Sequence, residues 1–396
     1  MFIRTSPKIR AVREAVRKNE QDIMENIIKR IDLGRDFKRH HDEYMAAIEA
    51  VCDVTAYSGG SFVEKFEGHF AEYCGTKHAI GVNNGTSALH CAMAALGVGE
   101  GDEVIVPANT FIATAWGVSY TGATPVFADC TADTWEISPE SVEKLITPRT
   151  KGIVGVHLYG QPFEYDSIRR IAVEHGLFVA EDCAQAHGAL YNGRKVGSLG
   201  EIGCFSFYPG KNLYCFGEGG CVTTDNDKYY DYMKMFKEHG SRERYHHDMI
   251  GYNMRLEGIQ GAVLDVSLGY LDEWTKRRRE LSHRYIENIH NPAITMQAHP
   301  DNTTPVFHLF VVEVDDREHF MQYMKDKGIL CDIHYPIPCH LQKAYANLGY
   351  KPGDCPNAEY LAAHCVSLPM FPELTDEEAG RVIAACNEYN GKGKAC

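Results

Sequence analysis

The chain has 396 residues, room for two or three domains at roughly 150 residues each, and its 44% hydrophobic and 24% charged content is that of an ordinary globular protein. Its 40 basic and 54 acidic residues leave a formal net charge of -14, which argues against nucleic acid or an anionic membrane as the main partner, since both favour a basic face. The first twenty residues have no apolar core for a signal peptide, and no later apolar run reaches the roughly 18 residues of a membrane span. The 14 cysteines include no C-x-x-C pair, so no metal site is expected, and a reducing cytoplasm is the simplest compartment.

The N-terminus carries Ile9, Val12, Val16, Ile23, Ile27 and Ile31 at helical spacing, which predicts an amphipathic helix over 8–31, packed on its own domain or docked on a second subunit. From about residue 60 the texture is strand-then-helix. "HAIGV" (78–82) precedes the helical "ALHCAMAALG", and "DEVIVP" (102–107) is a buried strand stopped by proline. "TPVFAD" (124–129), "KGIVGVHLYG" (151–160), "GLFVAED" (176–182) and "IGCFSF" (202–207) repeat the theme. Short Val/Ile-rich strands alternating with helices predict an α/β fold: a mainly parallel sheet covered on both faces. After the charged helix "YLDEWTKRRRELSHRY" (270–285) the pattern changes. "HLFVVEV" (308–314) alternates like a half-exposed strand, and a last helix is predicted near 374–389. The expected division is an N-terminal helical extension (1–35), a large domain (36–274) and a smaller α+β domain (275–396).

Ligands of open α/β sheets sit beyond the carboxyl ends of the strands, and three polar features lie there. In "NNGTSALH", Gly85, Thr86 and Ser87 open a helix after a strand. Free amides, two hydroxyls and the helix dipole suit a phosphate, although Ser and Thr also cap helices for structural reasons. "FVAEDCAQAHGA" ends a buried strand with Glu181, Asp182, Gln185 and His187; such a carboxylate either caps the next helix or meets a ligand. In "FSFYPGKNLYCFGEGG", Lys211 is a lone ammonium among aromatics and glycines. It is either an exposed loop lysine or a dried amine, able to attack a carbonyl. Together the three match pyridoxal phosphate (PLP), which needs a lysine for its aldehyde, a carboxylate for its pyridinium nitrogen and an anion site for its phosphate. Phe111, after another strand end, would supply an aromatic face for the ring.

These features lie in longer matching stretches: "NNGTSALHCAMAALGVGEGDEVIVPANTFIATA", "VHLYGQP", "EDCAQAHGALYNGRKVGSLGEIGCFSFYPGKNLYCFGEGG", "GYNMRLEGIQGA", "IHYPIPCHLQKAY" and "SLPMFPELT". Over about residues 60–380 the chain resembles the DegT/DnrJ/EryC1/StrS family of PLP-dependent sugar aminotransferases. The resemblance implies fold type I, with a seven-stranded sheet in the large domain and a smaller C-terminal domain. It implies that Lys211 carries PLP, that Asp182 pairs with the pyridine nitrogen and that Gln185 contacts the ring's 3-oxygen. Ser206 would join Gly85, Thr86 and Ser87 on the phosphate, with Phe111 against the ring. Asn253 would reach the phosphate from the neighbouring subunit, which makes the enzyme a homodimer. His308 and Tyr335 would lie on the substrate side.

The implied reaction converts a keto-sugar, a nucleotide-linked 3- or 4-keto-6-deoxyhexose, to an amino sugar with L-glutamate as donor; "IHYPIPCH" leans toward the 3-amino branch. Other readings are a keto-cyclitol aminotransferase of the scyllo-inosose type and a catalytically silent regulator on the same fold. Related sugar dehydratases carry histidine at the lysine position, so Lys211 points to transamination. Cys215, near Lys211, raises a cysteine desulfurase, which the family motifs outweigh. A nicotinamide dehydrogenase would need G-x-G-x-x-G after its first strand, and "GVGEG" (97–101) does not fit. Two departures stand out: Ser87 where many relatives have an acid, and Tyr214, Cys215 and Phe216 where they have small residues, both of which bear on the substrate. The pairs His40–His41 and His246–His247 are read as polar surface or substrate-facing loop, because adjacent side chains diverge and converge poorly on a metal.

Overall fold

A computed structural model describes residues 27–391. Its centre is a sheet of seven strands: β1 (His78–Val82), β2 (Glu103–Pro107), β3 (Thr124–Ala128), β4 (Thr150–Val156), β5 (Phe178–Asp182), β6 (Ile202–Ser206) and β7 (Gly220–Thr224), in the order β1-β7-β6-β5-β4-β2-β3. β7 runs antiparallel to both neighbours, and the other pairings are parallel. The strands are apolar almost throughout because helices cover both faces. Successive residues serve opposite cores: Val104, Val106, Val154 and Ala180 on one side, Ile105, Ile153 and Val179 on the other. The predicted mainly parallel α/β architecture is the one observed.

Helix Leu271–Asn288 runs across the expected 274/275 junction. Beyond it, Ile294–Met296, Phe310–Val314 and Cys365–Leu368 form an antiparallel sheet in that order, flanked by helices including Arg317–Asp326 and Asp376–Glu388. Strand Phe310–Val314 is buried at four of five positions rather than alternating. Phe310 and Val312 enter one core and Val311 another, so both faces are covered. Strand Cys365–Leu368, only four residues long and interrupted by the polar Ser367, was not foreseen.

The predicted N-terminal helix is corrected where it can be compared, since Ile9, Val12, Val16 and Ile23 lie outside the described residues. Residues 27–31 are not helical. Ile28 instead pairs with Ile329, its amide donating to the Gly328 carbonyl (2.8 Å) and its carbonyl accepting from the Leu330 amide (2.8 Å). A buried isoleucine suits an edge pairing as well as a helix face, and tertiary contact decides. Helices follow at Leu33–Arg39 and His41–Asp53. His40, read as surface, is buried between them, with Nε2 3.6 Å from Asp36 Oδ1; His41 is exposed on Asp42. Among the described residues no helix is long and apolar enough to cross a membrane.

Candidate active site

The loop after β6 is drawn back on itself: the Phe207 amide donates to the Gly219 carbonyl (2.8 Å), the Cys215 amide to Phe207 (3.0 Å) and the Lys211 amide to Tyr208 (3.0 Å). Gly210 takes φ +100°, a conformation open to glycine and strained for other residues. That turn sets Lys211, half-buried, over the carboxyl edge of the sheet. Burial pushes its amine down to about 8; Asp182 pulls the other way and Arg30 adds a further push down. Near neutral pH a useful fraction is therefore free base, the form that attacks carbonyls.

Asp182, the last residue of β5, is buried. Its Oδ2 accepts from the Thr114 hydroxyl (2.8 Å) and its Oδ1 from the Ala184 amide (3.1 Å). Burial raises its carboxyl above the usual range, opposed by these hydrogen bonds and by the charges of Lys211 and His157. A carboxylate so placed is short of positive charge, and a cation set against it would be held strongly. Gln185 is also buried: its Oε1 accepts from the Tyr159 amide (2.7 Å) and its Nε2 donates to the Tyr335 hydroxyl (3.0 Å). The Tyr335 ring stands 5.6 Å from that of Phe111. Thus Asp182, Gln185, Tyr335 and Phe111 form one wall.

The anion end lies at helix Gly85–Ala95. Asn84 caps it, accepting from the Ser87 amide (2.8 Å), an arrangement worth about 1 kcal/mol. The Ser87 amide is therefore already engaged, leaving the Gly85 and Thr86 amides at the opening turn with the Thr86 and Ser87 hydroxyls. A Cβ on Gly85 would stand 2.6 Å from Ser206 Cβ and 3.2 Å from its Oγ. Only glycine lets Ser206 come so close. Gly85, Thr86, Ser87 and Ser206 thus share one corner. On the other side, the His308 Nδ1–H donates to Asn212 Oδ1 (3.3 Å), and Asn212 Nδ2 to the Val306 carbonyl (3.0 Å). His308 is buried and held well below its usual pKa by burial first and the Lys211 charge next. Asn253 is exposed and paired by backbone with Glu238, while the next residue, Met254, accepts from the Asn83 amide (2.9 Å).

The DegT/DnrJ/EryC1/StrS aminotransferase family matches residues 38–387. The chain belongs to this family. It is 44% identical over 360 residues to a dTDP-3-amino-3,4,6-trideoxy-alpha-D-glucose transaminase of Streptomyces venezuelae, covering 91% of this chain and 95% of the relative. Among solved structures it superposes at TM-score 0.89 and 43% identity on DesV from S. venezuelae in complex with a ketimine intermediate, covering 92% and 98% of the two chains. It superposes at TM-score 0.82 and 27% identity on a putative sugar aminotransferase, Spr1654 from Streptococcus pneumoniae, in its PLP-form, covering 87% and 95%.

Several residues of this candidate site escaped the sequence reading. Thr114 lay unremarked in "NTFIATA", yet it holds Asp182. Asn212 and Arg30 gave no local signal. The residues after Lys211 pack against the helices Leu33–Arg39 and His41–Asp53. Tyr214 donates its hydroxyl to Asp36 (2.5 Å), Phe216 packs 4.8 Å from the Tyr44 ring, and Cys215 is buried with its thiol pushed up to about 12. A thiol so protonated is no mobile nucleophile, which removes the desulfurase reading. Among the described residues, His157, Glu181 and Cys183 bring ligand-type atoms within 4.8 Å of one another. Glu181, however, already accepts from the Gly197, Leu199 and Gly200 amides and from His157 Nε2, at 2.8–2.9 Å. Its oxygens are filled by donors, and the cluster is a structural cage.

Proposed function

We propose that this aminotransferase uses PLP to convert a nucleotide-linked keto-sugar to an amino sugar. The observation that carries the reading is the convergence of a depressed lysine, a carboxylate short of positive charge and a glycine-opened hydroxyl corner along one strand edge. The residues fit the cofactor. Lys211 would hold its aldehyde carbon and Asp182 its protonated ring nitrogen. Gln185 would meet the ring 3-oxygen and Phe111 the ring face, and Gly85, Thr86, Ser87 and Ser206 the phosphate. PLP, when bound, supplies the electron sink that stabilises the carbanion left on a deprotonated donor carbon.

The chain's own residues do the rest. Lys211, with an amine lowered to about 8, would be able to take a proton from the donor carbon and to return one. Asp182 would keep the ring nitrogen protonated from a dry position where its charge is little screened. Thr114 and the Ala184 amide fix the carboxylate's angle. Tyr335 and His308 border the substrate side.

L-glutamate is the donor we propose, and the substrate a keto-sugar carried on a nucleoside diphosphate, aminated at C3 as the name of the Streptomyces relative suggests. A second copy completes the site in this reading, with Asn253 reaching the partner's phosphate corner. In support, its loop exposes Tyr245 and Ile250 at 79% and 89%, more apolar surface than an isolated loop comfortably shows water. We also propose two domains divided near residue 275 and a cytoplasmic enzyme. The test is optical: L-glutamate should bleach the visible band of the PLP-loaded protein, and a nucleotide-linked 3-keto sugar should restore it. Absence of bleaching would remove transamination with this donor; restoration by scyllo-inosose instead would move the enzyme to cyclitols. Sedimentation at micromolar concentration should give twice the chain mass.

A further inference from the structure

An amino-acid donor brings a carboxylate to Lys211 together with its amine. In a pocket poor in water that charge needs a cation with unspent hydrogen-bond donors. Two arginines act electrostatically on the Lys211–His308 group. Arg278 is buried, and its Nη1 lies 3.1–3.3 Å from the carbonyls of Phe307, His308 and Met370. It ties loops together through that one nitrogen, and although its Nε has no hydrogen-bond partner among the described residues, the side chain is only 2% exposed and is set back from an incoming solute. Arg30 is different. Its backbone is pinned on one side by the Ile28–Ile329 pairing and on the other by the Met370 amide, which donates to its carbonyl (3.2 Å). Its neighbour Ile31 reaches the Lys211 turn, with Cδ1 3.5 Å from where a Cβ on Gly210 would stand. Its side chain turns to the opposite wall. There Nε lies 3.5 Å from Asp332 Oδ2, an oxygen that His334 Nε2 approaches at 4.0 Å. Residue 335, next along, is the tyrosine bonded to Gln185.

We infer that Arg30 is the specificity-determining cation that receives a carboxylate of the amino donor. Among the described residues its ion-pair partner is Asp332, met through Nε. The two terminal nitrogens keep the planar fork that pairs with a carboxylate. The side chain is 21% exposed, against 57% for Asp332, so the solvated aspartate balances Arg30 at rest without burying a second charge. Its charge also reaches His334, Tyr335 and Lys211.

The inference rests on the aminotransferase reading above, and the test separates the two. PLP-loaded wild type, Arg30→Gln and Arg30→Lys are titrated with L-glutamate while the visible band is followed, and with succinate and dTDP by calorimetry. In Arg30→Gln the half-saturating glutamate concentration should rise about thirtyfold, the loss of one charge-assisted pair, while the rate at saturation changes less than about fivefold. Succinate should weaken in the same ratio, dTDP should bind unchanged, and Arg30→Lys should recover part of the loss. Unchanged glutamate and succinate affinities in Arg30→Gln overturn the inference. So does weakening confined to dTDP, which would assign Arg30 to the nucleotide's diphosphate. If glutamate bleaches nothing even in wild type, the donor reading fails by itself, and the succinate ratio still decides Arg30. Matching melting temperatures and far-ultraviolet spectra exclude a folding defect.

Discussion

Glu181 and Asp182 are adjacent acids at the end of the same strand, and they do opposite work. Period-two alternation sends them to opposite faces of β5. Glu181 enters a sealed cage in which three amides and His157 saturate its oxygens. Asp182 enters the pocket with two hydrogen bonds and an unmet demand for positive charge. A buried acid whose oxygens are fully occupied is architecture; one held by fewer bonds than it can accept is available for chemistry.

The largest effect that tests this contrast is at the group Asp182 faces. Lys211→Ala should lower turnover by about a thousandfold or more, since it removes both nucleophile and proton carrier, while circular dichroism and sedimentation stay as in wild type. Persistent multiple turnover would take Lys211 out of its role. Next, the two acids should separate by assay. Asp182→Asn should cut the rate by about a hundredfold or more, with melting little changed. Glu181→Gln should instead cost about 3–5 kcal/mol in chemical denaturation, the scale for removing one partner of a buried, hydrogen-bonded charge, while the folded fraction keeps its rate. The comparison breaks if Glu181→Gln is stable and slow.

Much of this site was legible because its main residues sit at strand ends or at the turn just after one. Asp182 closes β5, Ser206 closes β6, Lys211 follows it within five residues and Gly85 opens the helix after β1. Periodicity marks strand ends, and an α/β sheet gathers them on one edge. What escaped the reading arrives across the fold. Thr114 is 68 residues from Asp182, and Arg30 faces Asp332 from the other end of the chain. Ile27 and Ile31 fit a helical period, yet residues 27–31 are not helical, because Ile28 between them pairs as an edge with Ile329. Tyr214, Cys215 and Phe216 depart from the family pattern close to Lys211, a departure expected to bear on the substrate. A tight turn sends the residues that follow it to the opposite side, against Asp36 and Tyr44.

A smaller effect concerns pH. Because burial lowers the Lys211 amine to about 8 from an ordinary 10.5, the folded apoprotein binds fewer protons than the unfolded chain between those values. Apoprotein stability should therefore rise with pH across that window and level off above it, and Lys211→Met should flatten the rise. The rate at which apoprotein captures PLP should climb through pH 8 as free amine accumulates. Capture that climbs only near pH 10 would mean that Lys211 is not desolvated.

The smallest effect tests the far side of the Lys211 loop. Asp36 is buried and accepts from Tyr214 (2.5 Å) and Tyr44 (3.0 Å), so Tyr214→Phe leaves it one phenol donor of two. The expected cost is about 1–2 kcal/mol of stability, with turnover and half-saturating glutamate within about twofold of wild type. Tyr214 lies only three residues from Lys211, so a purely local view would predict a catalytic defect. If turnover falls tenfold while melting holds, the loop transmits the Asp36 contact to the amine, and the separation drawn here between structural and chemical faces fails on this side of the site.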